Sequence, residues 1–295
     1  MWTAVSGASA QSQAVDTVAN NLANVDTLGF KKDLPTFKEY LTTVEREHNP
    51  EEVARGPIKD KDFYPIDGRD QAFVVVDGTH TDFRQGNLRV TQGPLDLALD
   101  GPGFFEVSTP SGLRYTRQGS FKVAMDGRLV TTEGYPVLAS QPGGLAVASS
   151  ATAVQPSQGR QATQGGVGAG EGQDPETARR FINLKDAGHN ISISAEGDLY
   201  AGENLVAKLS VVEFADRKVV RKIGGQLFEN KNLANISTAP SRTRVHQGVL
   251  ETSNVNPIEE MTNLIKANRM FEQDLKAIKT YSDIMGREVN DVGKL

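Results

Sequence analysis

The two ends of this chain carry the same period, and the long stretch between them carries a different one. From Trp2 to about Val25, the residues Val5, Ala8, Val15, Ala19 and Leu22 recur at alternating spacings of three and four, with Ser12 filling the one gap. That is the seam of a coiled-coil-like helix. At the other end Met261, Leu264, Phe271, Leu275, Ile278, Met285, Val289 and Val292 fall in one such register, with Asn268 and Ser282 as its polar members. Asn256-Pro257-Ile258-Glu259 opens this second helix with an N-cap residue, proline at the first helical position and glutamate three residues after the cap. Matching apolar stripes at opposite ends are buried when the ends return to each other. The expected fold is therefore α+β: discontinuous N- and C-terminal helices paired as a coiled-coil-like axial domain, with an all-β middle inserted between them.

The middle shows period-two runs that stop at turn residues. Phe73 to Val76 ends at Asp77-Gly78, Leu95 to Leu99 at Asp100-Gly101, and Phe104 to Val107 near Pro110-Ser111-Gly112. Phe121-Lys122-Val123 and Leu129-Val130-Thr131 flank Asp126-Gly127, which predicts a hairpin. Ile191 to Ile193 and Leu199-Tyr200 flank Glu196-Gly197-Asp198, and Leu209 to Phe214 reads as one more strand. The boundaries expected are 1–37 for the axial helix and turn, 38–80 for an extended connector, 81–240 for the β-rich domain and 241–295 for the C-terminal connector and helix. A Gly/Ser/Gln-rich insertion at about 140–178, including "GRQATQGGVGAGEGQDP", offers little to bury and reads as flexible.

Composition narrows the function. The net charge is −5 and no Lys/Arg block occurs, which argues against nucleic acid as a partner. Without cysteine there is no disulfide, thiolate nucleophile or thiolate metal ligand. No apolar run is long enough to cross a bilayer, and the N-terminus lacks the order of a cleaved signal peptide. His48, His80, His189 and His246 lie too far apart for metal-ligand spacing, and no nucleophile elbow or phosphate loop is present. Neither catalysis, nor a cofactor, nor a metal site is expected.

The first helix has a further oddity. With Val5 and Ala8 on the seam, Gln13, Thr17, Asn20, Asn21 and Asn24 fall on the opposite face, and only Asp16 and Asp26 carry charge between Met1 and Phe30. Neutral amides are buried at modest cost where each finds a partner, whereas full charges are not. This amide face is expected to pack against other protein. The C-terminal helix differs, since Lys266, Arg269, Lys276, Asp283 and Arg287 make its back a wet one. Repeating contacts of this kind give filaments.

Four segments carry a family resemblance. "VANNLANVDTLGFKK", which contains Gly29 and Phe30, resembles the N-terminal signature of bacterial flagellar rod and hook proteins. "LETSNVNPIEEMTNLIKANRMFE", which contains Ser253, Asn254, Val255 and Asn256, resembles their C-terminal signature. Arg84 to Val107 and Arg114 to Leu138 are similar to the β-domain core of the same proteins. The resemblance implies a structural subunit of the flagellar basal-body rod that assembles with copies of itself and other rod subunits, with surrounding ring proteins as further neighbours. It also implies export through the flagellum-specific type III apparatus into the periplasm, and a hollow shaft that transmits torque and lets later subunits pass. Within the family the first helix and the segment after Lys32 lean to the proximal-rod FlgF type, with the distal-rod FlgG type as the alternative. A wall-cleaving enzyme and an assembly cap are the minor alternatives.

Overall fold

The computed structural model describes residues 2–42, 71–140, 177, 179–185, 191–237 and 242–292. The inner part of the expected connector, 43–70, and nearly all of the expected insertion, 141–176, lie outside the described residues. The chain divides into two compact units, one of residues 1–23, 33–80 and 256–295, the other of 24–32 and 81–255.

The first unit holds both terminal helices. Helix α1 spans Trp2–Ala23 and helix α2 spans Pro257–Val292. At 1.5 Å per residue they are about 33 Å and about 54 Å long. They pack antiparallel, with Asn21 beside Glu260 at one end and Gly7 against Asp274 further along. The start of α2 is set as its sequence demands, since Asn256 Oδ1 accepts a hydrogen bond from the Ile258 amide at 3.1 Å and Glu259 and Glu260 occupy the positive first turn. Strands β1 (Asp33–Thr42) and β2 (Gln71–Thr81) form a two-stranded ribbon. It touches α1 at both ends, through Asp33 on Asn21 and through the Val74 amide, which donates to Ser6 Oγ at 3.4 Å.

The second unit is a β body. Strands β3 (Leu88–Val90), β4 (Leu97–Asp100), β5 (Phe104–Thr109), β6 (Gly112–Thr116), β7 (Phe121–Val123) and β8 (Leu129–Thr131) come first. Then follow β9 (Ile191–Ile193), β10 (Asp198–Ala201), β11 (Asn204–Lys208), β12 (Val211–Val212), β13 (Arg221–Gly224), β14 (Leu227–Glu229), β15 (Arg244–Gln247) and β16 (Val249–Glu251). The largest sheet has the order β12-β5-β6-β14-β13, and all of its pairings are antiparallel. Strand β5 is buried on both faces, so its neighbouring phenylalanines serve two cores. Phe105 joins Leu97, Leu129, Val137 and Leu199, while Phe104 joins the aromatic group of Phe83, Tyr115, Phe214 and Phe228. The Asp126-Gly127 turn links β7 and β8 with Gly127 at φ 86°, as the hairpin reading requires. The expected strand from Leu209 to Phe214 shrinks to Val211–Val212, because its two ends are spent on isolated bridges to Ala139 and Ile236.

Candidate functional site: where the chain ends enter the β body

The predicted seam residues do not share one environment. On α1, Ala8 is buried, Val15 and Leu22 are half-buried, and Val5 and Ala19 are exposed. The residues enclosed on this helix include Ala14, Val18 and Asn21, so the face toward α2 is rotated by about one residue, roughly 100°, from the expected seam. On α2, Leu264, Phe271 and Ile278 are half-buried and Glu260 and Ala267 are enclosed, while Met261, Leu275 and Met285 stand exposed. Small side chains explain the rotation. Gly7, Ala14 and Val18 admit the partner helix closely, and the bulky Met261 and Leu275 are left beside the contact.

The amide residues also separate. Gln13 and Asn20 are exposed, Thr17 and Asn24 are half-buried, and Asn21 is enclosed at 1% exposure. Asn21 thus lies in the contact between the helices and not on the face opposite it. Its side chain reads a peptide: Nδ2 donates to the Asp33 carbonyl at 2.8 Å and Oδ1 accepts from the Asp33 amide at 2.9 Å. The same Nδ2 reaches Glu260 Oε2 at 3.4 Å. One amide, a donor and an acceptor on one plane, therefore fixes the first residue of β1 beside the first turn of α2.

In the β body the segments 24–32 and 249–255 meet. Gly29 sits at φ 68°, and its amide donates to the Glu251 carbonyl at 2.8 Å. Phe30 is buried, and the Lys222 ammonium lies 3.5 Å from its ring centroid while donating to the Lys31 carbonyl at 2.9 Å. Asn254 repeats what Asn21 does. Its Oδ1 accepts from the Lys32 amide at 2.7 Å, and its Nδ2 donates to the carbonyls of Asp82 and Arg84 at 2.9 and 3.1 Å. Ser253 and Val255 are buried, with Ser253 Oγ accepting from the Val255 amide. Asn256, by contrast, is exposed and serves as the cap of α2.

Beneath this junction lies an ion triad that the sequence reading did not anticipate. Glu251 Oε1 is 2.5 Å from Lys31 Nζ, and Glu251 Oε2 is 3.3 Å from Arg117 Nη1. None of the three side chains is more than 1% exposed. Two cations share one enclosed carboxylate, and the surplus charge is offset by neutral dipoles and by the nearby carboxylates of Asp82, toward Lys31, and Glu213, toward Arg117. Lys31 also donates to the Arg84 carbonyl at 2.8 Å, and Arg117 donates to the Gly101 carbonyl at 2.6 Å and lies over the Phe104 ring at 4.8 Å. Burial pulls the Lys31 ammonium below the usual lysine pKa, and Glu251 opposes that pull. The three residues stand far apart in the chain, in unrelated local patterns, so no spacing marks them.

Gly29 is fixed by this junction. A Cβ there would meet the Arg117 carbonyl carbon and the Gln118 amide nitrogen at 2.6 Å, and the backbone is already in the left-handed region. Gly29→Ala is expected to cost about 2 kcal/mol, read as a shift of the urea midpoint of the full chain.

Paired terminal helices, an inserted β body and a buried clamp between the segments that lead into it define a structural subunit. No group of three or more potential metal-binding side chains occurs among the described residues, and no described helix is long and apolar enough to cross a membrane. Three family descriptions match: "Flagella basal body rod protein" over residues 1–31, "Flagellar hook protein FlgE/F/G D1 domain" over 98–201, and "Flagellar basal body rod FlgEFG protein C-terminal" over 246–292. The chain is 30% identical over 292 residues to the flagellar basal-body rod protein FlgG of Borreliella burgdorferi, covering 97% of this chain and 96% of that one. It is 28% identical to FlgF of Caulobacter vibrioides (95% and 92% covered) and 28% identical to FlgG of Bacillus subtilis (98% and 97% covered). The chain belongs to the flagellar basal-body rod protein family. That family is structural and not enzymatic.

Proposed function

We propose that this chain is a proximal-rod subunit of the FlgF type, which polymerises with copies of itself and other rod subunits into the hollow shaft between motor and hook. The observation that carries polymerisation is the surface left over by the helix pair. The exposed stripe of α1, which includes Val5, Ser9, Gln13, Asp16 and Asn20, holds a single charge. In the antiparallel register of the pair, α2 runs on past the start of α1, and there Tyr281, Ile284 and Met285 are exposed. Neutral and apolar surface of this kind is what neighbouring subunits can cover. The back of α2, with Lys266, Arg269, Glu272 and Lys276 exposed, suits a water-filled channel. In the polymer the two helices would pair as a coiled coil, and subunits would arrive unfolded through the type III export apparatus. Surrounding ring proteins would be outer neighbours.

The FlgF assignment rests on the first helix and on the segment after Lys32. A second reading, the distal-rod FlgG type, is favoured by the Borreliella relative. Expression of the chain in strains lacking FlgF or FlgG separates the two, since motility should return in the first and not in the second. Asn20→Lys is expected to lower the amount of subunit in purified basal bodies severalfold, because it places an unpaired charge between subunits, whereas Lys276→Ala leaves it unchanged. Equal incorporation of both would remove the case for a dry outer face.

A further inference from the structure

The β body carries a polar cleft of about 610 Å³ that the rod assignment does not use. Its walls include Ser140, Glu196 and Lys208, and one side is the approach to β15. Arg242 and Arg244 are exposed on either side of the buried Thr243, so both point to the same face of an extended stretch. That stretch is held firmly. The amides of Arg242 and Thr243 and the Thr243 hydroxyl all donate to Glu213 Oε1, at 2.7, 2.9 and 2.7 Å, and the Val245 amide donates to the Ala195 carbonyl at 2.9 Å. Neither guanidinium makes an ion pair or side-chain hydrogen bond with another described residue. Lys208 is already engaged with Asp198 at 3.4 Å, Glu196 is the one carboxylate among the described wall residues, and Asp100 stands opposite Arg244 across the β4–β15 pair.

A guanidinium presents a fixed fork of donors that suits carboxylates, and two forks on a rigid strand define a spacing. Residues two apart on an extended chain lie about 7 Å from each other, which is also the spacing of alternate side chains on an extended ligand. We propose that this cleft binds an extended acidic peptide segment of a partner protein, with carboxylates two residues apart on Arg242 and Arg244. A single small anion engages one fork and leaves the other idle. An acidic peptide engages both, and Glu196 opposes it.

Fluorescein-labelled hexaglutamate, titrated into the full chain at low ionic strength and followed by anisotropy, tests this directly. Binding is expected, hexaglutamine should not bind, and Arg242→Gln with Arg244→Gln should weaken hexaglutamate about tenfold or more. Glu196→Gln should tighten it. Arg89→Gln, an exposed arginine on β3 outside the cleft, should leave it unchanged. These side chains point outward, and an unchanged melting temperature verifies that the variants fold. Absence of hexaglutamate binding, undiminished binding by the double variant, or an equal loss in Arg89→Gln would overturn the proposal. So would competition by inorganic phosphate at concentrations equal to those of the peptide, since the cleft would then be a site for single anions.

Discussion

Glu251→Gln is expected to destabilise the β body by about 3–5 kcal/mol, the range for removing one partner of an enclosed ion pair. The variant keeps the shape of the side chain but removes the charge and one of its two acceptor oxygens, because the glutamine NH2 must face donors from Lys31 and Gly86 or from Arg117. Lys31 and Arg117 would then face each other across a neutral amide, with carbonyls and one aromatic face as their contact partners and only the less direct carboxylates of Asp82 and Glu213 as countercharge. Lys31→Met is expected to cost less, about 2 kcal/mol or below, because it leaves Glu251 and Arg117 as a balanced pair and replaces a desolvated ammonium with an apolar chain of similar length. The exposed pair Lys38–Asp77, with side chains 70% and 42% exposed, sets the contrast. Asp77→Asn should stay within about 0.5 kcal/mol. Urea unfolding of the full chain at low and high salt measures all three. The Glu251 effect should also survive added salt, which screens surface pairs far more than buried ones. A Glu251→Gln cost no larger than that of Lys31→Met would show that the shared carboxylate is not what balances the cluster.

Much of the architecture was legible because it follows local rules. The α2 cap is written in four consecutive residues, and the β7–β8 hairpin in Asp126-Gly127. The two terminal helices and the β middle follow from a change of period. The rotation of the seam was not legible. A three-and-four pattern built from alanine, valine and serine fits neighbouring positions on the wheel almost equally well, and the choice is made by how closely Gly7, Ala14 and Val18 let α2 approach. The triad was hidden for a different reason. Lys31 lies 220 residues from Glu251, and Arg117 lies 134 from it. Each looks like an ordinary surface charge until the sheet brings them together. The asparagines fall between these cases: of Asn20, Asn21 and Asn24 only Asn21 is enclosed, and its partners, the Asp33 backbone and Glu260, are set by contacts that no local pattern marks.

Asn21 shows how that difference changes an experiment. On an outer face, lysine at this position would be a buried charge without a partner. In the observed contact a lysine would lie beside Glu260, which can accept it, so Asn21→Lys is a poor probe. Asn21→Leu is the sharper one, because it keeps a side chain of similar size yet removes the hydrogen bonds to the Asp33 amide and carbonyl at 2.9 and 2.8 Å. Two backbone hydrogen bonds lost at a half-buried position cost about 1–3 kcal/mol together. The loss should be local. Hydrogen exchange is expected to accelerate at the start of β1 and in the first turns of α2, while β5 and β6 keep their protection. Asn254→Leu, which removes the bonds to the Lys32 amide and to the Asp82 and Arg84 carbonyls, should instead loosen the β body around 82–86 and 249–255. If Asn21→Leu leaves exchange at Asp33 and Glu260 unchanged, the amide is a passenger in the helix contact, and packing of the small residues alone holds the first unit together.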